Sequence, residues 1–295
     1  MQAGTTAIGG SPHMVRDVHD TYANLSDPHR TQVNVVLSAF RAFRGDRRAH
    51  VGYVTVPVTT GKRFYDVLSR EGVLTREELT AKRGGAFMFE EIIKPNIDES
   101  IRLVDQLGLE EDRLFIAPSV FEAKALQWTD DAYMALWYRV IGEMAGKHVL
   151  VDGWGYSYGG VREVLFSLML QFRAIRMSNL RDGIEHFGLQ NFFPNMTHDE
   201  VVEELQRMWA IRIYENGREI RLPDALAECT RVIAELHARG FNVDNLLGVA
   251  WRMKQIPFFV PAFYEPYPWV DVPAYREAVH DLDALVAKIT SGKAH

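Results

Sequence analysis

The chain has 295 residues, of which 47% are hydrophobic and 24% are charged, a balance typical of a globular protein with a substantial core. Its 39 acidic and 33 basic residues give a formal net charge of −6 at pH 7. Because the basic residues are dispersed, no nucleic-acid-binding surface is expected, and the expected partner is a small molecule. Cys229 is the single cysteine, which excludes an intrachain disulfide and favours a reducing, cytoplasmic location.

The apolar runs are too short to predict a membrane span. The run from Val161 to Phe172, for example, is interrupted by Arg162, Glu163 and Gln171. No run approaches the roughly 18 residues of a spanning helix. A soluble protein without a membrane partner is therefore expected.

Four segments are expected along the chain: a flexible leader, a helical segment, an α/β domain and a helical extension packed on that domain. They comprise residues 1–15, 16–48, 49–195 and 196–295. The leader is small and polar, without a basic start or an apolar stretch. In the second segment, Asp27 and Pro28 form an N-cap and first-turn signal for a helix of about 15 residues.

Strands alternate with helices from residue 49 onward. The predicted strands are HVGYVTVPV, RLFIAP, KHVLVDGW and RAIRM (Arg173–Met177). The predicted helices are one that ends at Gly72, one over Ile97–Leu107, one that Thr129 caps, and GGVREVLFSLMLQ. This alternation predicts an α/β fold with a mainly parallel sheet flanked by helices, whose ligand sites lie beyond the carboxyl ends of the strands.

The last hundred residues have a helical periodicity. Thr197 and Glu200 form a capping-box pattern. Later helices are expected over Pro223–Arg239, from Val243, and over Ala274–Ile289. The loop before the last helix is FFVPAFYEPYPWVDVP, and its aromatic residues favour packing or an oligomer contact over a lid that stacks on a base.

Two segments that follow strands and open helices contain the candidate chemistry. They are VPVTTGKR, residues 56–63, and DGWGYSYGGVRE, residues 152–163. Backbone N–H groups and the helix dipole at such turns favour an anion such as phosphate. Lys62 and Arg63 can add positive charge to the first turn. The alternative is an ordinary βα turn with a solvated basic pair.

The second segment combines small residues with Ser157 and Glu163. The small residues are Gly153, Gly155, Gly159 and Gly160. Glu163 is expected in the first turn of a largely apolar helix, where a buried carboxylate is costly unless it is used. The alternative is a first-turn glutamate stabilised by the helix dipole, and spacing alone does not choose between the two.

Both segments resemble the nucleoside 2-deoxyribosyltransferase family, and in particular its hydrolytic relatives that cleave the N-glycosidic bond of nucleoside 5′-monophosphates. The resemblance spans roughly residues 50–180 and implies a Rossmann-like fold. SYGGVRE matches the family's small-residue loop and following helix, which places Glu163 at the position of the nucleophile. Ser157 matches the serine with which the monophosphate hydrolases donate to phosphate, where the transferases have aspartate.

The resemblance implies further site residues. Tyr53 is expected to orient Glu163. The substrate and its phosphate are expected to contact Thr59, Thr60, Gly61, Arg63, Ser157, Gly159, Gly160 and Trp154. Where the family places an aspartate near the leaving base, this chain has Trp137 and Tyr138; the nearest acids are Asp130 and Asp131, and Asp131 is the candidate acid.

Hydrolysis of a nucleotide N-glycosidic bond is thus the expected activity. A carboxylate can attack the anomeric carbon or stabilise its positive charge, while an acid protonates the base and water completes the reaction. Two alternatives stay open: a transferase that passes the sugar to a second base, and a non-catalytic nucleotide-binding module. The ten histidines show no paired metal spacing, so neither a metal nor a cofactor is expected. A homo-oligomer, most simply a dimer, is expected.

Overall fold

The computed structural model describes residues 22, 24–44, 51–111, 113–120, 128–178, 197, 200, 211–256 and 272–292. Within these residues, five strands form one sheet: β1 (Val51–Thr55), β2 (Leu114–Ile116), β3 (Lys147–Leu150), β4 (Arg212–Glu215) and β5 (Arg218–Glu219). Their order is β2-β1-β3-β4-β5. The first four strands are parallel to their neighbours and β5 is antiparallel to β4. The fold is α/β with a mostly parallel sheet, as predicted.

Among the described residues, helices lie where they were predicted, and two further helices lie between residues 76 and 88, where no element was predicted. The described helices are α1 (Asp27–Arg44), α2 (Lys62–Glu71), α3 (Arg76–Arg83), α4 (Gly85–Met88), α5 (Lys94–Glu111), α6 (Asp130–Met144), α7 (Tyr158–Ser178), α8 (Leu222–Ala238), α9 (Asp244–Gln255) and α10 (Val272–Gly292). A π-helical turn, Phe89–Ile93, joins α4 to α5. Short 3-10 helices lie at Pro118–Val120 and Trp154–Tyr156.

Local sequence signals explain several helix ends. The Thr129 side chain accepts a hydrogen bond from the Ala132 N–H at 3.3 Å and begins α6. Gly72 ends α2 in the left-handed conformation, with φ of 67°. The capping box of Thr197 and Glu200 is also confirmed: each backbone N–H donates to the other side chain.

Helices cover both faces of the sheet. On one face, Tyr53 and Ile116 pack in a cluster with buried residues of α1, α6 and α7. On the other face, Val54, Phe115 and Val149 pack against partly buried residues of α5. This two-sided burial explains why the strands read as continuous apolar runs.

The helices that follow the sheet share a core with it. One hydrophobic cluster contains Leu150 of β3 and Ile213 of β4 together with residues of α2, α7, α8, α9 and α10. Helix α8 packs against α9 and α10, and α9 packs against α7. None of the described helices combines the length and apolarity that crossing a membrane requires.

The strand predicted at Arg173–Met177 is wrong, because α7 continues to Ser178. The sequence between Glu163 and Ser178 contains neither glycine nor proline, so it has no signal that would end the helix. A single β-branched residue near its end, Ile175, does not outweigh that continuity.

The segment after residue 195 is not purely helical, since it supplies β4 and β5. Asn216 and Gly217 connect these strands with φ angles of 49° and 77°, the conformation of a tight two-residue hairpin turn. The Asn-Gly pair is the strongest short-range hairpin signal, and the sequence prediction overlooked it. The leader 1–15 and the aromatic residues from Phe258 to Trp269 lie outside the described residues.

Candidate active site

The two predicted turns lie side by side at the carboxyl edge of the sheet. They follow β1 and β3, which are adjacent and parallel. The chain leaves β1 for β2 on one side and returns to β3 on the other, so the turns lie at the point where strand order reverses. Open α/β sheets bind ligands in the crevice outside such a point.

Asn96 of α5, which is 6% exposed, stabilises the first turn through hydrogen bonds. Its side-chain amide donates to the carbonyl of Val58 at 3.0 Å and to that of Thr60 at 3.4 Å. Gly61 has a φ of 94°, and a Cβ there would lie 2.6 Å from Pro57 Cβ. The conformation of this turn therefore requires glycine.

The polar side chains of the first turn point in different directions. Thr60 is half-buried, and its hydroxyl donates to the Ser157 hydroxyl at 3.3 Å. Thr59 is exposed, and its carbonyl accepts from Arg76. Arg63 donates to Asn96 at 3.0 Å and to Glu99 at 3.2 Å. The structure thus joins Thr60 to the second turn, whereas Arg63 is bonded to α5.

Ser157 is the N-cap of α7. It is 5% exposed, and its hydroxyl oxygen accepts from the Gly160 N–H at 3.3 Å as well as from Thr60. A hydroxyl has two acceptor positions and one proton. Among the described residues, both acceptor positions of Ser157 are thus used and its proton has no acceptor.

The two glycines after Ser157 differ in their surroundings. A Cβ at Gly160 would lie 3.0 Å from Thr55 Cγ2 and 3.1 Å from the Trp154 carbonyl oxygen. A Cβ at Gly159 would meet only the Ser157 hydroxyl, at 4.0 Å. Gly160 therefore lets α7 begin directly against the end of β1.

Trp154 is placed in the core. Its side chain is 1% exposed, and its indole N–H donates to Glu215 at 3.0 Å. The structure brings its backbone to the site, since the carbonyl faces Gly160. The ring packs in the hydrophobic cluster that contains Leu150 and Ile213.

Glu163 is the sixth residue of α7, one turn further along than the sequence suggested, because the helix begins at Tyr158. A helix dipole acts mainly within the first turn, so dipole stabilisation does not account for this position. The residue is 4% exposed. Its Oε2 accepts a hydrogen bond from the Thr55 hydroxyl at 2.5 Å.

A buried chain of hydrogen bonds continues from Thr55. Its hydroxyl oxygen lies 2.6 Å from His148 Nε2, and His148 Nδ1 lies 2.8 Å from the Ser167 hydroxyl. Thr55, His148 and Ser167 are each 0% exposed. This series of hydrogen bonds thus links β1, β3 and α7 beneath Glu163.

Burial sets the protonation of this cluster. It raises the pKa of Glu163 to about 7, although the Thr55 hydroxyl, the Tyr53 hydroxyl and the charge of Arg162 lower it. Burial also lowers the pKa of His148 to about 3, so this ring is neutral near pH 7. Glu163 is therefore poised between its acid and its carboxylate forms at neutral pH.

Tyr53 lies next to Glu163, as the resemblance implied. Burial, followed by the charge of Glu163, raises the Tyr53 pKa well above 10. Its hydroxyl nevertheless forms no hydrogen bond within normal geometric limits and is buried. The two groups are thus close enough to interact electrostatically.

Arg162 lies close enough to Glu163 to act on its pKa, and it interacts with two residues of α6, Tyr138 and Asp131. Arg162 Nε donates to the Tyr138 hydroxyl at 3.2 Å, and the guanidinium lies over the rings of Tyr138 and Tyr158. Burial lowers the Arg162 pKa, but Tyr138, Tyr158 and the carboxylate of Asp131 raise it above its usual value. Asp131 is exposed in the first turn of α6, and its charge acts on Arg162.

The described part of the chain contains no cluster of three or more histidine, cysteine, aspartate or glutamate side chains that could hold a metal. Cys229 is buried, and burial raises its pKa far above the usual value. This thiol is therefore inert towards nucleophilic chemistry.

Five polar residues around the two turns and Glu163 escaped the sequence prediction: Thr55, Asn96, His148, Arg162 and Ser167. Thr55 could have been found, because it lies two positions after Tyr53 in a strand and must point to the same face. His148 and Ser167 carry no such signal, since only the pairing of β1 with β3 and the rotation of α7 bring them together.

Comparison with known proteins gave no match to a protein-family model, a curated protein or a solved structure.

Proposed function

We propose that this chain hydrolyses the N-glycosidic bond of a nucleoside 5′-monophosphate and releases the free base and a sugar phosphate. The observation that carries the proposal is Glu163: a buried carboxylate with a pKa of about 7, beside serine and threonine hydroxyls at the strand-order reversal. Rossmann-like nucleotide-binding folds use this same edge of the sheet.

The carboxylate supplies the chemistry. One oxygen of Glu163 is held by Thr55, and the other attacks the anomeric carbon or stabilises its positive charge as the base departs. Water then completes hydrolysis. Because Glu163 is 4% exposed, the groups above it must move before a sugar reaches it.

The serine turn supplies the phosphate contacts. The Ser157 proton is available, and the N–H of Gly159 lies in the first turn of α7, a helix of 21 residues whose N-terminus favours an anion. Thr59, Thr60 and Gly61 line the opposite turn. Arg63 would join them only after leaving Asn96 and Glu99.

The departing base requires a proton donor from α6. Asp131 is the candidate implied by the resemblance. The structure adds Tyr138, whose oxygen accepts from Arg162 and whose own proton is then free to be donated. Its pKa, which burial raises to about 12, suits a hydrogen-bond donor to a developing anion better than a full acid.

A panel of nucleosides and 5′-monophosphates tests the proposal, with free base measured by chromatography. We expect a higher kcat/KM for a monophosphate than for its nucleoside. Replacing Glu163 with glutamine should lower kcat by about a hundredfold or more, because it removes the charge and keeps the shape.

Ser157→Ala should raise KM for the monophosphate more than KM for the nucleoside, because only the monophosphate loses a contact to its phosphate. Thr197→Ala is the matched control, since it removes another hydroxyl that accepts from the backbone N–H three residues further on. Near-normal turnover by a folded Glu163→Gln protein would contradict the proposal. Base exchange without hydrolysis would indicate the transferase instead, and nucleotide binding without turnover would indicate the binding module.

A further inference from the structure

The hydrogen bonds beneath Glu163 have one consistent direction. A carboxylate only accepts, so the Thr55 hydroxyl donates to Glu163 Oε2. The Thr55 oxygen then accepts from His148 Nε2–H, which leaves His148 Nδ1 to accept from the Ser167 hydroxyl. Each hydrogen bond in this series therefore donates its proton in the direction of the Glu163 carboxylate.

We propose that His148 and Ser167 are positioning residues, which act through Thr55 to fix one oxygen of Glu163 and to favour its ionised form. The inference rests on the proposed function for its effect on turnover, but not for its effect on Glu163 itself. A chain of donors that polarise one another strengthens the last bond, and the strongest acceptor for that bond is a negative charge.

Complete burial makes this arrangement specific. Thr55, His148 and Ser167 are shielded from water, so no solvent molecule replaces a donor that is removed. Because Oε2 is held from beneath, Oε1 is the oxygen left for a sugar. Removing His148 N–H leaves Thr55 free to turn its proton elsewhere, which weakens its bond to the carboxylate.

The other groups around Glu163 do not titrate near neutral pH. Tyr53 on β1 and Tyr138 on α6 have raised pKa values, which keeps them protonated. Arg162 on α7 stays charged, and His148 on β3 stays neutral. A change observed near pH 7 in this cluster therefore reports on Glu163.

The test measures the Glu163 pKa by NMR of the full chain labelled at the glutamate carboxyl carbon, with the Glu163→Gln spectrum as assignment. His148→Leu, which lacks the donor, should raise this pKa by about one unit. His148→Gln, which retains an N–H at a similar position, should restore most of the shift. Ser167→Ala should move the pKa in the same direction by less.

Activity gives a second measurement. If Glu163 must be ionised, His148→Leu should move the acidic limb of the rate profile up by about one pH unit. It should then be about tenfold slower than wild type at pH ~6 and nearly equal at pH ~9. A purely structural role would lower the rate by one factor at every pH.

Ser100→Ala is the matched control. Ser100 lies on α5, is 1% exposed like the buried Ser167, and its hydroxyl forms a hydrogen bond with the hydroxyl of Ser119. An unchanged Glu163 pKa in folded His148→Leu overturns the proposal. If the His148 variants do not fold, Ser167→Ala decides: a shift no larger than that of Ser100→Ala also overturns it. A shifted pKa in a protein that cleaves no nucleotide supports the positioning role while the proposed function fails.

Discussion

Glu163 is a carboxylate in an apolar environment, and the free-energy cost of that placement depends on pH. Burial raises its pKa from 4.5 to about 7. The folded state therefore binds the proton more tightly than the unfolded state between these two values. The stability that protonation contributes is complete below pH 4.5 and is lost as the pH rises through 7.

Glu163→Gln should therefore become more stable than wild type as the pH rises. The two proteins should have similar free energies of unfolding below pH 4.5, and the difference should grow up to pH 7. We expect the variant to be more stable by about 3 kcal/mol at the upper end. Urea denaturation across this pH range measures the difference.

The comparison isolates Glu163 from its neighbour. Burial lowers the pKa of His148 from 6.5 to about 3, so the stability that neutral His148 contributes is lost as the pH falls. Both proteins contain His148, and this effect therefore cancels in the comparison. Glu90→Gln, which removes an exposed carboxylate, should change the free energy of unfolding by less than about 0.5 kcal/mol at every pH. A constant difference between Glu163→Gln and wild type would show that Glu163 is not held in a raised-pKa environment.

At the scale of elements, the start of α7 decides where the hydroxyls and Glu163 lie. Ser157 caps this helix, and Gly160 allows its first turn to contact Thr55 of β1. The positions of Thr55, Ser157 and Glu163 thus depend on a close approach between the backbones of β1 and α7. A side chain at residue 160 should separate these backbones.

Gly160→Ala should destabilise the protein by about 1–3 kcal/mol, because the new methyl group would press on the Trp154 carbonyl and on Thr55. Gly159→Ala is the matched control. It places the same methyl group one residue earlier, where the nearest atom is 4.0 Å away, and alanine intrinsically favours a helix. Thermal unfolding of both variants checks this, and equal melting temperatures would contradict the close packing at Gly160.

Element types were predictable wherever capping and periodicity agreed. Thr129, Gly72 and the β-branched run of β1 each gave the correct element, because local hydrogen bonds and burial on both sheet faces determine them. The strand predicted at Arg173–Met177 was wrong because short apolar segments are ambiguous between strand and helix. The Asn216–Gly217 hairpin was missed even though its signal is local.

The candidate site was predictable only in part. The glycine turn and Ser157 could be found from the sequence, because turn chemistry is encoded by adjacent residues. The bonds of Arg63 to Asn96 and Glu99 could not be found, since they join residues about 35 positions apart. The same is true of His148 and Ser167, which only the pairing of β1 with β3 and the rotation of α7 bring close to Thr55.

At the scale of the whole molecule, the sheet and the later helices depend on each other. Strand β4 comes from the segment after residue 195 and pairs with β3. The cluster that contains Leu150 and Ile213 also contains Leu226 of α8 and Leu246 of α9. Neither part can keep its core when the other is removed, because each supplies apolar surface that the other buries.

The full chain should therefore unfold in one cooperative transition, and a fragment that ends at Asn195 should not fold. That fragment lacks β4, so the edge of β3 would expose unpaired backbone groups, and Leu150 would lose its partners. Coincident far- and near-ultraviolet circular dichroism transitions check the first expectation. Native-like near-ultraviolet signal from the fragment would contradict the second.

A substitution within α8 tests the same coupling in the intact chain. Leu226 is 0% exposed, and Leu226→Ala should cost about 2–5 kcal/mol because it leaves a cavity in the shared cluster. If the core is shared, this loss lowers the unfolding midpoint of the sheet and of the helices equally. Fluorescence of Trp154, which lies in that cluster, and of Trp137, which lies in the cluster of α1 and α6, can report on the two regions separately when the other tryptophans are replaced. Different midpoints at these two probes would show that the later helices form an independent unit, since destabilisation would then stop at the boundary between the clusters.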